Sequence, residues 1–435
     1  MASADDLLGL FPPGTTTEDD GMLRVGGCRL DDVVDQHGTP VLLVAEEAVR
    51  QRAADYAARL AARWPRSQVA FATKAFPCTA VLRLMVSEGL WLDVAGGGEI
   101  VTALEAGADP ATLLLHGNAK TTEEIELAVR YGVGTVVVDN ADDLDRLEEV
   151  VPRSRPQGCL VRIIPGVRAA TYPAYATGHR GSKFGLLPDD ARRVIARIEA
   201  SPRLRMDGLH THVGSQILDA AELAAAVAPL AALGEFEVYD LGGGLGSRYS
   251  YADHPPSLDE YLDELTGAAA EHLPAGARLM IEPGRSVTAA NAVTVYRVTT
   301  VKHGSPPFVA VDGGMGDNLE VALVGQRFEA AIADRAGGGE PVSLVGRHCE
   351  SGDVISEGVP LRDPRVGDLV AVPVTGAYTY TMSNNYNGAR RIPVVLASGG
   401  AARLVVRRET WHDLLTRDVP PSRPPDHDPE GSRLS

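Results

Sequence analysis

The feature that most constrains this chain is a recurrence. Eight short apolar runs follow one another, each with a polar residue or glycine at or near its end: QVAFATK at 68–74, LWLDVA at 90–95, TLLLHG at 112–117, GTVVVDN at 134–140, LVRIIPG at 160–166, DGLHTHVG at 207–214, FEVYDLGGG at 236–244 and RLMIEPGR at 278–285. Runs without apolar–polar alternation suit strands buried on both faces, as in a parallel sheet. Between them lie stretches such as TTEEIELAVRYG and LAAAVAPLAALG, whose spacing and Ala/Leu/Glu content suit helices. Eight β/α units in roughly 220 residues predict a closed (β/α)8 barrel rather than an open doubly wound sheet.

After residue 286 the texture changes. VTAANAVTVYRVTTVKH, PFVAVDGGM, GDLVAVPVT and RIPVVLA are Val/Thr-rich runs divided by Gly and Pro. They predict an all-β domain, a barrel or a sandwich. MLRVGG at 22–27 and TPVLLVAEE at 39–47 precede the barrel and are candidates to add a strand to that domain. The expected organisation is a flexible tail at 1–20, a segment at 21–38 joining the β domain, a barrel at 39–286, a β domain at 287–417 and a disordered, Pro-rich tail at 418–435.

Charge narrows the function. Lys plus Arg number 41 against 58 Asp plus Glu, a net charge of −17. A chain so acidic has no bulk attraction for phosphate backbones or anionic lipid, which argues against nucleic-acid and membrane-surface roles. No apolar run is long enough for a membrane span, and the N-terminus MASADDLLGLFPPG carries acids where a secretion signal needs a basic start. The four cysteines, at 28, 78, 159 and 349, form no CxxC pair; they read as free thiols in a reducing cytoplasm. No metal-ligand spacing stands out. What remains is a cytoplasmic enzyme acting on a small molecule.

Chemistry-bearing residues gather where the predicted strands end: Lys74, Asp93, His116, Asn118, Arg162, His212, Gly242, Gly243, Gly244, Glu282 and Arg285. In a barrel these ends converge on one rim. Lys74 closes an apolar strand, and partial desolvation there favours the neutral amine that forms a Schiff base. LGGGLG at 241–246 offers backbone N–H groups to a phosphate. EPGRS at 282–286 offers a carboxylate and a guanidinium, the first suited to a protonated ring nitrogen and the second to a phosphate. A base-forming lysine, a phosphate cradle and an acid for a ring nitrogen are what pyridoxal 5'-phosphate requires.

With those residues in view, the chain resembles the fold-type III pyridoxal-phosphate decarboxylases, the family of ornithine and diaminopimelate decarboxylases. The matching motifs are FATKA (71–75), DVAGGGE (93–99), HGNAK (116–120), TGHRGSKFG (177–185), GLHTHVGSQ (208–216), LGGGLG, EPGRS, VDGGMGDN (311–318), HCESGD (348–353) and GAYTYTMSNNYNG (376–388). HCESGD and GLHTHVGSQ point to the diaminopimelate branch. The resemblance implies roles position by position. Lys74 matches the Schiff-base lysine, and His212 the histidine stacked on the cofactor ring. Ser215, Gly243 and Arg285 match phosphate ligands, with Asp93, Gly242, Gly244, Pro283 and Gly284 around the cofactor. Tyr378 matches a tyrosine touching both phosphate and substrate. Glu282 matches the acid facing the pyridine nitrogen. Cys349 matches the proton donor to Cα, brought by the β domain of a partner subunit in a homodimer. Glu350 matches the acid gripping the substrate's distal ammonium.

The chain departs from that branch in one stretch. DGGMxDN is usually followed by an Arg and a Tyr that hold the distal carboxylate of diaminopimelate; here the run is DNLEVALVG, with Glu320 at the Arg position and Val324 at the Tyr position. A helix through this stretch would place Glu320, Val324 and Arg327 on one face and let Arg327 supply the missing charge. The leading expectation is decarboxylation of meso-diaminopimelate to L-lysine. The next is a decarboxylase of the same branch acting on lysine, ornithine, arginine or a conjugated amino acid. An amino-acid racemase and a non-catalytic cofactor-binding protein come behind: HCESGD argues against the first, retention of both Lys74 and Cys349 against the second.

Overall fold

The computed structural model describes residues 4–419. Eight strands pair in parallel and close into a barrel: β1 (Ser67–Ala72), β2 (Trp91–Val94), β3 (Leu113–Leu115), β4 (Thr135–Val138), β5 (Gln157–Ile163), β6 (Leu204–Thr211), β7 (Val238–Asp240) and β8 (Arg278–Ile281). Closure is made by β8 against β1, where Leu279 pairs with Ser67 and Ile281 with Val69. Each of the eight apolar runs supplies one strand. Their residues divide by face. Ala70, Leu114, Val137, Leu160, Val238 and Met280 form a small core inside the barrel, while Phe71, Leu92, Leu115, Val136 and Val161 pack outward against the helices. Burial on both faces is why these runs show no alternation.

Local chemistry sets the helices between them. Thr121 and Glu124 form a reciprocal capping box ahead of Thr122–Tyr131, and Gly132 ends that helix in the left-handed conformation at φ 83°. LAAAVAPLAALG does not make one helix: it folds as Ala220–Ala224 and Val227–Ala231. Pro229 has no N–H and its ring crowds the preceding turn, so the helix breaks at Ala225–Ala226.

The second unit is a β sheet with strand order Val354–Leu361, Glu340–Val345, Phe308–Val311, Ala292–Lys302, Val41–Ala45, Val394–Ser398 and Ala401–Val406. Leu369–Pro373 also pairs with Ala292–Lys302. Val41–Ala45 sits between two partners, antiparallel to Ala292–Lys302 and parallel to Val394–Ser398. A barrel starting at 39 is therefore corrected: this strand belongs to the second sheet, because its five residues are all buried there between neighbours on both edges. MLRVGG instead makes a separate three-stranded sheet with Thr16–Thr17 and Cys28–Arg29. The flexible tail expected at 1–20 is also corrected. Ala4–Leu8 is helical, and Leu7 and Phe11 pack with Leu23, Leu43 and Val293 in a core beneath the second sheet. That buried apolar pair outweighs the acidic neighbours that suggested a tail. The expected C-terminal tail lies outside the described residues beyond 419. No helix among the described residues is long and apolar enough to cross a membrane.

Candidate active site

At the C-terminal rim of the barrel, ionisable side chains from five strand ends meet below the mouth. Glu282, one residue past β8, is the centre. Its Oε2 lies 3.1 Å from His210 Nε2, and its Oε1 lies 2.7 Å from His116 Nε2, off the hydrogen-bonding line. Burial alone would push the Glu282 carboxyl up; the two imidazoles outweigh it and hold the group well below the usual carboxylate range. Asp240 at the end of β7 goes the other way. Burial and the neighbouring Glu282 charge keep its proton on. Burial lowers His210 to about 4, against the pull of Glu282. Within the cluster the charged form is favoured on Glu282 and the neutral form on Asp240.

Lys74 stands above this floor. β1 ends at Ala72, and Lys74 lies in a single 3-10 turn, Thr73–Ala75, that lifts it over the rim. Its Nζ is 3.7 Å from Asp93 Oδ2, and Asp93 Oδ1 is 3.7 Å from His116 Nε2. Asp93 is buried, whereas the lysine side chain opens into the mouth. The neutral amine expected from desolvation is corrected. Burial does pull Lys74 down, but Asp93, Tyr378 and Glu282 outweigh it and hold the free ammonium above its ordinary value. Thr381 Oγ1 donates to the Lys74 carbonyl at 2.8 Å, and the Tyr378 N–H donates to the Ala75 carbonyl at 2.8 Å. The second domain thus grips the lysine turn directly. Arg162, buried at the end of β5, stacks over Phe184 with its guanidinium 4.4 Å from the ring centre.

The glycine loop after β7 is tied to the same floor. The Gly242 N–H donates to Asp240 Oδ1 at 2.9 Å, the Gly243 N–H to His212 Nδ1 at 3.1 Å, and the Glu282 N–H to the Gly242 carbonyl at 2.8 Å. Gly242 has φ +67°, and a Cβ there would meet the Thr211 carbonyl at 2.5 Å, so only glycine fits the turn. Of the N–H groups that LGGGLG offers to a phosphate, those of Gly242 and Gly243 are engaged within the site itself. Pro283 accepts from the Ala72 N–H at 3.2 Å and, with Gly284, starts the short helix Arg285–Thr288 beside Lys74.

Arg285 runs from that helix into a buried aromatic box. Its guanidinium sits 4.6 Å from the Tyr378 ring centre, 4.9 Å from Tyr175 and 5.5 Å from Tyr249. Its Nε donates to Ser215 Oγ at 3.1 Å and its Nη1 to the Tyr249 hydroxyl at 2.5 Å. Glu320 closes the box: Arg285 Nη2 donates to Oε1 at 2.9 Å and Nη1 to Oε2 at 3.2 Å, and the Tyr175 hydroxyl donates to Oε1 at 2.5 Å. Neither side chain is more than 3% exposed.

The helix expected through Glu320, Val324 and Arg327 is corrected. It spans only Glu320–Leu323, and Gly325 at φ 66° turns the chain away. Arg327 is exposed and off the face that carries Glu320, and Val324 caps the turn. Cys349 and Glu350 lie elsewhere. The Cys349 N–H donates to Asn387 Oδ1 at 2.9 Å, and Glu350 Oε1 accepts from the Tyr386 hydroxyl at 2.5 Å. Cys349 is exposed, and among the described residues no hydrogen bond or ion pair joins it or Glu350 to Lys74 or Glu282. Asn118 likewise stays out of the cluster, its carbonyl accepting from Asn140 Nδ2 at 3.0 Å.

The family profile for the pyridoxal binding domain of pyridoxal-dependent decarboxylases matches residues 46–289. The chain is 44% identical over 425 residues to the diaminopimelate decarboxylase of Actinosynnema pretiosum subsp. auranticum, covering 94% of this chain and 95% of that protein. The chain belongs to the diaminopimelate decarboxylase family. It is 38% identical to the enzyme of Mycobacterium tuberculosis, over 94% of this chain and 98% of that one. Among solved structures, the M. jannaschii diaminopimelate decarboxylase in co-complex with L-lysine superposes with a TM-score of 0.88 at 28% identity, covering 94% of this chain and 98% of that one. The barrel, the separate sheet, the carboxy-lyase class and pyridoxal 5'-phosphate as cofactor follow from membership in this family.

This chain's residues fit the family's cofactor on their own chemistry. Buried at the floor, Glu282 Oε1, Asp240 Oδ2, His116 Nε2 and His210 Nδ1 lack aligned hydrogen-bond partners. Orphaned groups at such depth are costly unless a ligand satisfies them. A carboxylate here is suited to a protonated ring nitrogen, with Lys74 within the same mouth for the aldehyde. Sequence reading missed four residues of the site: His210, Asp240, Tyr175 and Tyr249. His210 was readable, since it lies two residues before His212 on a strand whose side chains alternate. Asp240, directly before the glycines, was readable too. Tyr175 and Tyr249 come from loops, and nothing in their local pattern marks them.

Proposed function

We propose that this chain decarboxylates meso-diaminopimelate to L-lysine and CO2, acting as a cytoplasmic homodimer with shared active sites. Pyridoxal phosphate, when bound, supplies an electron sink for the pair of electrons left as CO2 departs. Lys74 anchors the cofactor's aldehyde carbon, and Glu282 holds a proton at the ring nitrogen. His212 would cover a ring face. Gly244, the Gly284–Arg285 turn, Ser215 and Tyr378 would hold the phosphate. Asp93 orients Lys74. Cys349 of a partner subunit returns the proton to Cα, and Glu350 beside it receives the substrate's distal ammonium. The observation that carries the reading is the convergence of Lys74, Asp93 and Glu282 with two histidines at one barrel mouth.

The test is incubation of the purified holoenzyme with a panel of amino acids, measuring CO2 and the chirality of the product. Release of CO2 from meso-diaminopimelate with L-lysine as product supports the proposal; racemised starting material without CO2 would refute it. The Arg285–Glu320 pair favours a second reading, an amino acid of the same branch without a distal carboxylate, such as lysine, ornithine or a conjugate. CO2 from one of these but none from diaminopimelate would select it. The dimer is tested by mixing inactive Lys74→Ala and Cys349→Ala subunits. Activity should return, since one hybrid site then holds both native residues, whereas a fully active monomer would end the idea.

A further inference from the structure

The outer wall of the mouth is built around a guanidinium that is already spent. Four of the N–H donors of Arg285 are engaged, two by Glu320 and one each by Ser215 and Tyr249. Arginine has five, so one remains, on Nη2. Recognition of a carboxylate by arginine draws its strength and direction from two parallel N–H bonds, and no such fork is free here. The charge is cancelled as well: the pair is bidentate, with the Glu320 side chain 1% exposed. Tyr378, Tyr175 and Tyr249 surround the guanidinium. Tyr378 links this box to the reacting centre, since its N–H is bonded to the Lys74 turn.

We infer that Glu320 is a specificity-determining residue that withholds Arg285 from the substrate and so selects against an anionic distal end. The inference rests on the decarboxylase reading for the site's location, and it bears on which side chain that site prefers. An incoming carboxylate must either displace Glu320, leaving it buried without its cation, or lie beside it as a second anion; both are costly. A neutral or cationic end incurs neither cost. Glu320 thus acts as an internal competitor, and meso-diaminopimelate binds against it.

The experiment compares wild type with Glu320→Gln, which keeps the shape and removes the charge. Two readouts are used: calorimetric titration of the holoenzyme with pimelate, a dicarboxylate that has no α-amine to react, and the KM for meso-diaminopimelate set against the inhibition constant of L-lysine. Glu320→Gln should bind pimelate at least about tenfold more tightly, the least that a released charge-assisted hydrogen bond is worth. KM for meso-diaminopimelate should fall relative to the inhibition constant of L-lysine. Equal pimelate affinity in the two proteins, or a higher KM for diaminopimelate in the variant, would overturn the inference. Wild type alone also tests it, because tight pimelate binding there means that Arg285 is not withheld, whether or not the variant folds. If no amino acid releases CO2 from either protein, the decarboxylase reading fails, while the pimelate titration still reads the state of Arg285.

Discussion

The loop that carries His116 into the floor is held by a buried ion pair, and cutting it has a calculable cost. Lys120 Nζ donates to Asp143 Oδ2 and to the Gly117 carbonyl, both at 2.7 Å. The two side chains are 1% and 0% exposed. Asp143 Oδ2 also accepts from the Asp139 N–H at 3.2 Å, so the pair staples the loop after β3 to the loop after β4. Burial pulls Lys120 below its ordinary value, with Asp143 working against that pull. Asp143→Ala leaves the ammonium buried without its anion, a loss of about 3–5 kcal/mol. For a chain of 435 residues, an unfolding entropy of about 2.1 cal/mol/K per residue gives about 0.9 kcal/mol/K, so Tm should drop by about 3–5 °C. The same change frees the His116 loop, and kcat should fall with it. Lys120→Met combined with Asp143→Leu removes both charges and should recover most of the lost stability. Thermal melts of the three holoenzymes decide the matter. A drop below about 1 °C in Asp143→Ala, or a double variant no more stable than the single one, would refute the account of the pair.

Other outcomes follow from the site. Borohydride reduction should fix the cofactor to Lys74, as peptide mapping would read, and Lys74→Ala should lose both this adduct and the visible absorption; cofactor on another lysine would displace the assignment. His210 titrates near 4 in the fold against 6.5 for a free ring, so between those values the native state binds fewer protons than the unfolded chain. Stability from keeping the ring neutral is full above pH 6.5 and is lost as pH falls toward 4, by up to about 3 kcal/mol. The stability gap between wild type and His210→Gln, from denaturant melts, should narrow over that window; a constant gap would contradict it. Tyr378→Phe keeps the ring over Arg285, so its cofactor spectrum should be retained while substrate KM rises; loss of cofactor would place the hydroxyl's role at the cofactor instead.

Much of the barrel was legible because both faces of each strand are dry, which writes an unbroken apolar run into the sequence. The residues at the strand ends were legible for a related reason, since Lys74, Asp93, His116 and Glu282 interrupt those runs with groups that no core needs. The second sheet was harder to read. Glu340–Val345 and Val354–Leu361 went unseen because exposed positions, and Gly358 in the second, cut their buried stretches to two or three residues. The wall of the mouth was the least legible part. Glu320 could be flagged only as a departure from its family, because whether a lone glutamate faces solvent or a guanidinium depends on a contact with Arg285 that nothing nearby in the chain announces.

The position of Val41–Ala45 also bears on how the protein is made. Val44 pairs with Ala292, and Leu42 with Val394. A ribosome releases this strand early, at about 5–20 residues per second, and its second partner, Val394–Ser398, only near the end. The barrel's parallel pairs can form in succession as they emerge, but the middle of the second sheet must wait with an apolar strand unpaired. A nascent or truncated chain that stops before Val394 holds a complete barrel and an exposed sheet edge, which makes it a client for chaperones.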